Sequence, residues 1–188
     1  MIRDRLKSID HFLFYKINGE WHNSFFDSIL TLSREAFLWL PFYFFLVLFI
    51  GINYKRKGLF WIAALIITAI VSNYISSNII KELIIRVRPC NNPMLADHIR
   101  VLANYCPQSS SFVSSHATNH FAISTFIYLT LRKPISNWWI LIFIWALVIC
   151  YAQVYVGVHY PSDVICGGMI GCIIGYVSGF IFNKKIEL

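Results

Sequence analysis

The chain has 188 residues, 57% of them hydrophobic and only 13% charged, with a formal net charge of +7. Soluble domains carry about 25% charged residues, so one water-soluble core is excluded and much of the apolar surface is expected to face lipid. The cations fall in short clusters between apolar stretches. That pattern suits anionic lipid head groups and argues against nucleic acid as a partner.

A single domain over residues 1–188 is expected at this length, opening with an interfacial or re-entrant preamble, residues 1–35. Met1 to Lys16 lacks the apolar centre of a cleavable signal. Ile2, Leu6, Ile9, Leu13 and Ile17 recur at helical spacing, which predicts an amphipathic helix, either lying on the membrane or packed on the body. The first apolar span runs from Phe37 to Tyr54 and closes at Lys55-Arg56-Lys57; the second runs from Leu59 to Ile80. Residues 81–115 then form the one long polar loop, and long loops tend to carry function. A third span, His116 to Leu131, ends at Arg132-Lys133-Pro134. The fourth runs from Trp138 to Gly157, with tryptophans as interface anchors, and the fifth from Ser162 to Phe182 before Lys184-Lys185. This predicts an all-α bundle of five transmembrane helices, six if Phe25 to Leu32 also crosses. Alternation puts the three basic clusters on one side, which the positive-inside rule assigns to the cytoplasm. The long loop and His159 then share the outer face.

Gly167, Gly171, Gly175 and Gly179 recur every fourth residue in the last span, a stripe that lets another helix approach closely. Cys150, Cys166 and Cys172 lie in apolar spans as packing residues. Cys90 and Cys106 share the outer loop, where an oxidising compartment would allow them to pair or leave two free thiols.

Three places carry candidate chemistry. Lys81 and Arg88 are seven residues apart; on a helix ended by Pro89 both would emerge on one face, about 10 Å apart along the axis, suited to an anion or to snorkelling into the interface. Val113-Ser114-Ser115-His116 opens the third span, and a serine-capped helix start with free N–H groups is an anion site. His120 completes a His-x-x-x-His spacing, but Ala117 stands where a zinc-protease helix has its glutamate. No metal site is expected there, and His120 reads as a supporting or packing residue. His159-Tyr160-Pro161-Ser162-Asp163 opens the fifth span, with Asp163 in the first turn reaching back towards His159 to fix its tautomer.

These residues resemble the type 2 phosphatidic acid phosphatase superfamily, whose fold is related to the vanadium haloperoxidases. The family motif K-x6-R-P is complete as Lys81 with Arg88-Pro89. P-S-G-H appears as Val113-Ser114-Ser115-His116, and S-R-x5-H-x3-D as Ala152-Gln153, His159 and Asp163. The resemblance implies that Lys81, Arg88, Ser114 and Ser115 hold a phosphate, with Gln153 where the family places an arginine. It implies that His159 attacks phosphorus to give a phosphohistidine, that Asp163 orients it and that His116 protonates the leaving oxygen, with no cofactor. Gln153 can donate a hydrogen bond but no charge, so either Arg86 or Arg100 compensates, or the substrate needs one cation fewer, or activity is weak. The short chain resembles the bacterial undecaprenyl-pyrophosphate phosphatases of that superfamily. Undecaprenyl pyrophosphate is therefore the first expected substrate, with lipid A, phosphatidylglycerophosphate, transfer to another acceptor, or lipid binding without catalysis as alternatives. The expected location is a bacterial inner membrane, multi-pass, with the site facing the periplasm.

Overall fold

The computed structural model describes residues 2–95, 98–186 and 188, with backbone alone at residues 2 and 3. The regular structure of the described residues is helical, with α1 (Ile2–Tyr15), α2 (Ser24–Ser33), α3 (Leu40–Tyr74), α4 (Lys81–Leu83), α5 (Ser115–Leu131), α6 (Ile142–Tyr155) and α7 (Pro161–Lys185). A π-helical stretch, Ile75–Ile80, joins α3 to α4. Among the described residues three helical stretches are long and apolar enough to cross a membrane: Ala36–Leu83, Asn137–Tyr155 and Pro161–Lys185.

The first of these turns back on itself. Lys55 takes a positive φ of 46°, and a Cβ at Gly58 would lie 2.4 Å from the Ile50 carbonyl oxygen. Eight residues of straight helix would separate those positions by about 12 Å, so α3 is a hairpin whose arms meet at the Lys55-Arg56-Lys57 cluster. Leu46 and Ile50 from one arm and Trp61 and Leu65 from the other share a core cluster with Phe126, Leu131 and Phe182. All three basic clusters therefore sit at one end of the bundle.

α5 is the innermost helix, buried from Ala117 to Leu131 on most of its faces. α7 lies directly against it. A Cβ at Gly167, Gly171 or Gly175 would come within 2.7, 2.3 and 2.3 Å of the carbonyl oxygens of Ser114, Thr118 and Ala122 respectively. The glycine stripe thus sets two backbones in contact and fixes the register of two helix starts, those at Ser115 and Pro161.

The N-terminal preamble is two helices. In α1, Leu6, Ile9 and Phe12 face outward while Asp10 and Phe14 are buried. The apolar stripe points away from the protein, as it must if the helix lies in the membrane interface; the Ile2 side chain lies outside the described residues. The ten residues of α2 span about 15 Å, half a hydrocarbon core, and this segment, the alternative sixth crossing, packs beside α6. Its Leu30 enters a cluster with Ala152, Tyr155, Val156 and Val158.

The outer loop is tied at several points. Cys90 and Cys106 form a disulfide with Cα atoms 6.0 Å apart, and Cys150, Cys166 and Cys172 are free. Asn18 is fully buried, donating to the carbonyls of Arg100 and Tyr155 at 2.7 Å each and accepting from the Arg100 N–H. The loop is thereby fastened to the preamble.

Candidate active site

The residues singled out in the sequence come together at the end opposite the basic clusters. One expectation needs correction: Lys81 and Arg88 do not ride one helix. The chain leaves helical geometry after Leu83, and both Ile84 and Arg88 are extended. The β-branched run Ile84-Ile85-Arg86-Val87 disfavours helix, and the serine run opposite supplies partners. The Arg86 N–H donates to Ser110 Oγ at 3.0 Å, and the Ser111 N–H donates to the Arg86 carbonyl at 2.8 Å. Extended backbone sends alternate side chains to opposite sides. Ile85 and Val87 therefore point out, at 89% and 55% exposure, and Arg86 and Arg88 both point in.

Arg88 is buried and its donors converge. Nε donates to the Ser109 carbonyl at 2.9 Å, Nη2 to the Ser110 carbonyl at 3.2 Å, and Nη1 to the Val158 carbonyl at 3.2 Å. Nη1 also lies 3.0 Å from His159 Nε2. A guanidinium has only donors, so Nε2 must accept and the ring proton resides on Nδ1. The tautomer is therefore set by Arg88 from one side. On the other side Nδ1 is 3.4 Å from Ser111 Oγ and 3.6 Å from Asp163 Oδ2. The expected direct His159–Asp163 hydrogen bond is thus an ion-pair distance. The carboxylate is held by others: Ser111 Oγ donates to it at 2.5 Å, the Tyr160 N–H at 2.9 Å and Arg86 Nη1 at 2.5 Å. Burial pulls the His159 imidazole down to about 4, outweighing the nearby carboxylate that favours its charged form. The ring is neutral at any ordinary pH, its Nε2 lone pair accepting from Arg88.

Ser114 caps α5, its hydroxyl accepting from the Ala117 N–H at 3.4 Å, while its own N–H donates to the Asp163 carbonyl at 3.1 Å. That second bond stitches the start of α5 to the start of α7. Ser115 Oγ lies 2.9 Å from Ser77 Oγ, one turn before Lys81. Lys81 lies within electrostatic range of Arg88, Asp163, His116 and His159. His116 is one residue into α5, its ring stacked 6.2 Å from that of His120. His120 Nδ1 bonds the His116 carbonyl at 2.8 Å, and its ring meets Trp145 edge-on at 4.7 Å, which makes it a packing residue. Gln153 is 1% exposed, its carbonyl accepts the Val158 and His159 N–H groups, and its Nε2 has no partner among the described residues.

Neither arginine expected to compensate for Gln153 does so. Arg86 is spent on Asp163, on Ser162 Oγ at 2.7 Å and on Asp10 at 2.5 Å. Arg100 is paired with Asp27 at 2.5 Å. Asp10 also accepts from the Ser162 N–H and hydroxyl, at 2.8 and 2.7 Å. Sequence reasoning missed Asp10, Arg86 and Ser111 as parts of the site's support. The alternation Ile85-Arg86-Val87-Arg88 and the run Ser109-Ser110-Ser111 were the available signals. Among the described residues no group of three or more His, Cys, Asp or Glu side chains is placed to hold a metal ion.

Comparison with known proteins identifies the family. The sequence profile of the PAP2 superfamily matches residues 60–187. The lipid A 4'-phosphatase of Bacteroides thetaiotaomicron is 30% identical over 184 residues, covering 95% of this chain and 79% of that protein. The undecaprenyl-diphosphatase of Sulfolobus acidocaldarius is 33% identical over 166 residues, covering 84% of this chain and 72% of that protein. The crystal structure of Aquifex aeolicus LpxE superposes with a TM-score of 0.64 at 25% identity, covering 88% of this chain and 92% of that one. The chain belongs to the PAP2 superfamily, as a membrane phosphatase.

Proposed function

We propose that this protein hydrolyses a phosphate ester of a membrane lipid through a phosphohistidine at His159. The observation that carries this is the neutral His159 ring whose Nε2 lone pair faces the Arg88 guanidinium at 3.0 Å. A phosphate approaching Nε2 meets that cation first. Lys81 and Arg88 hold the equatorial oxygens, with the Ser114 hydroxyl, the N–H groups of residues 115 and 116 at the start of α5, and the Gln153 amide as neutral donors. The Ser115 hydroxyl, tied to Ser77, lines the same edge. His159 attacks in line, the bond from phosphorus to the lipid oxygen breaks, and His116 passes to that oxygen the proton it takes from the bound phosphate monoanion. Asp163 stabilises the imidazolium character that develops, and water then attacks phosphorus with His116 as base, returning free phosphate and neutral His159. Phosphoryl transfer depends mainly on positioning and on stabilising spread charge, and fixed cations with a helix start supply both. No metal or other cofactor has a part in this scheme.

Two substrates have specific support. The relatives named lipid A 4'-phosphatase in Bacteroides thetaiotaomicron and Porphyromonas gingivalis match 95% and 89% of this chain, which favours a glycolipid phosphate monoester. The Sulfolobus relative supports undecaprenyl pyrophosphate, the substrate expected from chain length, as the second reading. The three basic clusters at the far end support a bacterial inner membrane with the site on the periplasmic face. The test is phosphate release by purified protein from lipid A, undecaprenyl pyrophosphate and phosphatidylglycerophosphate, each with a chelator. Release from one of them, undiminished by chelator and abolished in His159→Ala, is expected; turnover surviving that substitution refutes the mechanism.

A further inference from the structure

The site lacks the charge that Gln153 leaves out, and the geometry points to Arg34 as the cation that replaces it, contributed by α2 from outside the three motifs. This rests on the phosphatase reading above and adds a phosphate-binding residue to it. Arg34 is the C-cap of α2, one turn beyond Leu30 and so on the same face. Leu30 packs against Ala152, Val156 and Val158, the residues that flank Gln153 and His159. The α2 terminus is pinned, since Ser33 is buried and its carbonyl accepts from Trp39 Nε1 at 2.7 Å. Trp39 in turn rests on Trp145, with ring centroids 5.7 Å apart, and Trp145 on His120.

Two other arginines at this end are ion-paired, although Arg100 Nη1 stays buried without a partner among the described residues. Arg86 and Arg100 are neutralised by Asp10, Asp163 and Asp27. Arg34 is half-buried, yet among the described residues its guanidinium has no hydrogen bond or ion pair. Glu35 and Tyr105 are the ionisable neighbours it feels most, and its own field also reaches Arg88 and His116. Arg34 and Arg88 are like charges within reach of each other, a repulsion that an anion bound between them would relieve. An arginine at this position offers the bidentate grip that an amide cannot, and Gln153, its Nε2 unpartnered and 1% exposed, keeps the neutral donor beneath.

The experiment is a double-mutant cycle on the full chain in detergent micelles, with a lipid phosphate monoester as substrate and inorganic phosphate as inhibitor. Arg34→Ala is expected to lower kcat/KM by about 10- to 100-fold and to weaken phosphate inhibition similarly, the range for one charged hydrogen-bond partner. Arg34→Lys should recover part of the loss. Adding Gln153→Arg to Arg34→Ala should restore most of it, which a merely structural arginine would not allow. The inference is overturned if Arg34→Ala stays within about twofold of wild type in both readouts. It is equally overturned if a folded Arg34→Ala protein, with an unchanged thermal midpoint, loses activity that neither Lys nor Gln153→Arg restores. Should Arg34→Ala fail to fold, Arg34→Lys and Arg34→Gln give the same comparison. Turnover in His159→Ala would sink the phosphohistidine scheme separately, and the phosphate-inhibition arms would still decide Arg34.

Discussion

The two ends of the bundle are built on opposite principles. At the basic end, Leu46, Ile50, Trp61, Phe126, Leu131 and Phe182 close a dry core with one buried side-chain bond of note, from Trp61 Nε1 to Thr130 Oγ1 at 2.7 Å. At the site end, Asp10, Arg86, Arg88, His159 and Asp163 are buried or half-buried and satisfy one another through a network that draws on α1, the outer loop and α7. The dry end holds the helices together by shape. The wet end holds charges in place, at a desolvation cost that packing elsewhere must offset. The comparison teaches that stability and chemistry are separable in this fold, and substitutions should separate them.

The largest expected effect is at the wet end. His159→Ala should reduce turnover by at least about 10³-fold, the scale for removing a nucleophile, while the thermal midpoint in detergent barely moves. At the dry end the pattern should invert. Trp61→Ala leaves a large cavity and should cost about 3–5 kcal/mol of stability, with kcat of the surviving folded protein unchanged. Asp10→Asn lies between the two. It weakens the tie between α1, Arg86 and Ser162, and should cost about 2 kcal/mol in stability and lower kcat together, because Arg86 then draws on Asp163 alone. An Asp10→Asn protein with normal kcat would show that α1 is not part of the site's support. Trp61→Phe should have the smallest effect, about 1 kcal/mol for one hydrogen bond.

The pH profile sharpens the same contrast. The attacking ring must be neutral, and burial lowers the His159 imidazole to about 4. Protonation therefore sets in only as pH falls towards 4, so the acid limb of kcat/KM for this group should lie well below 6.5. Stability carries the same sign: the folded state resists protonation that the unfolded chain accepts near 6.5, so stability from this group is lost as pH falls. An acid limb near 6.5 in kcat/KM would place the essential base outside the buried network.

The motifs were legible because they depend on spacing along the chain. Ser114 at a helix start, Pro161 at the first turn of α7 and the four-residue glycine stripe are local or periodic signals, and the structure uses each as the spacing implies. Arg88 was misplaced because seven residues is also two helical turns. The period-two pattern from Ile85 to Arg88, which argues for extended chain, gave too short a run to outweigh the helical reading. The partners of Arg86 were invisible, since Asp10 and Asp163 lie 76 and 77 residues away in the chain.

By itself, the sequence determined the membrane setting, the apolar segments, the family and the residue types proposed to meet the phosphate, because hydropathy, capping and motif spacing are properties of short stretches. Only the tertiary structure decided which cations are free and which are spent. An ion pair is a fact about two places in space, and the same eleven atoms of an arginine side chain and backbone read alike in sequence whether an aspartate lies against them, as at Arg86 and Arg100, or no ion pair forms among the described residues, as at Arg34.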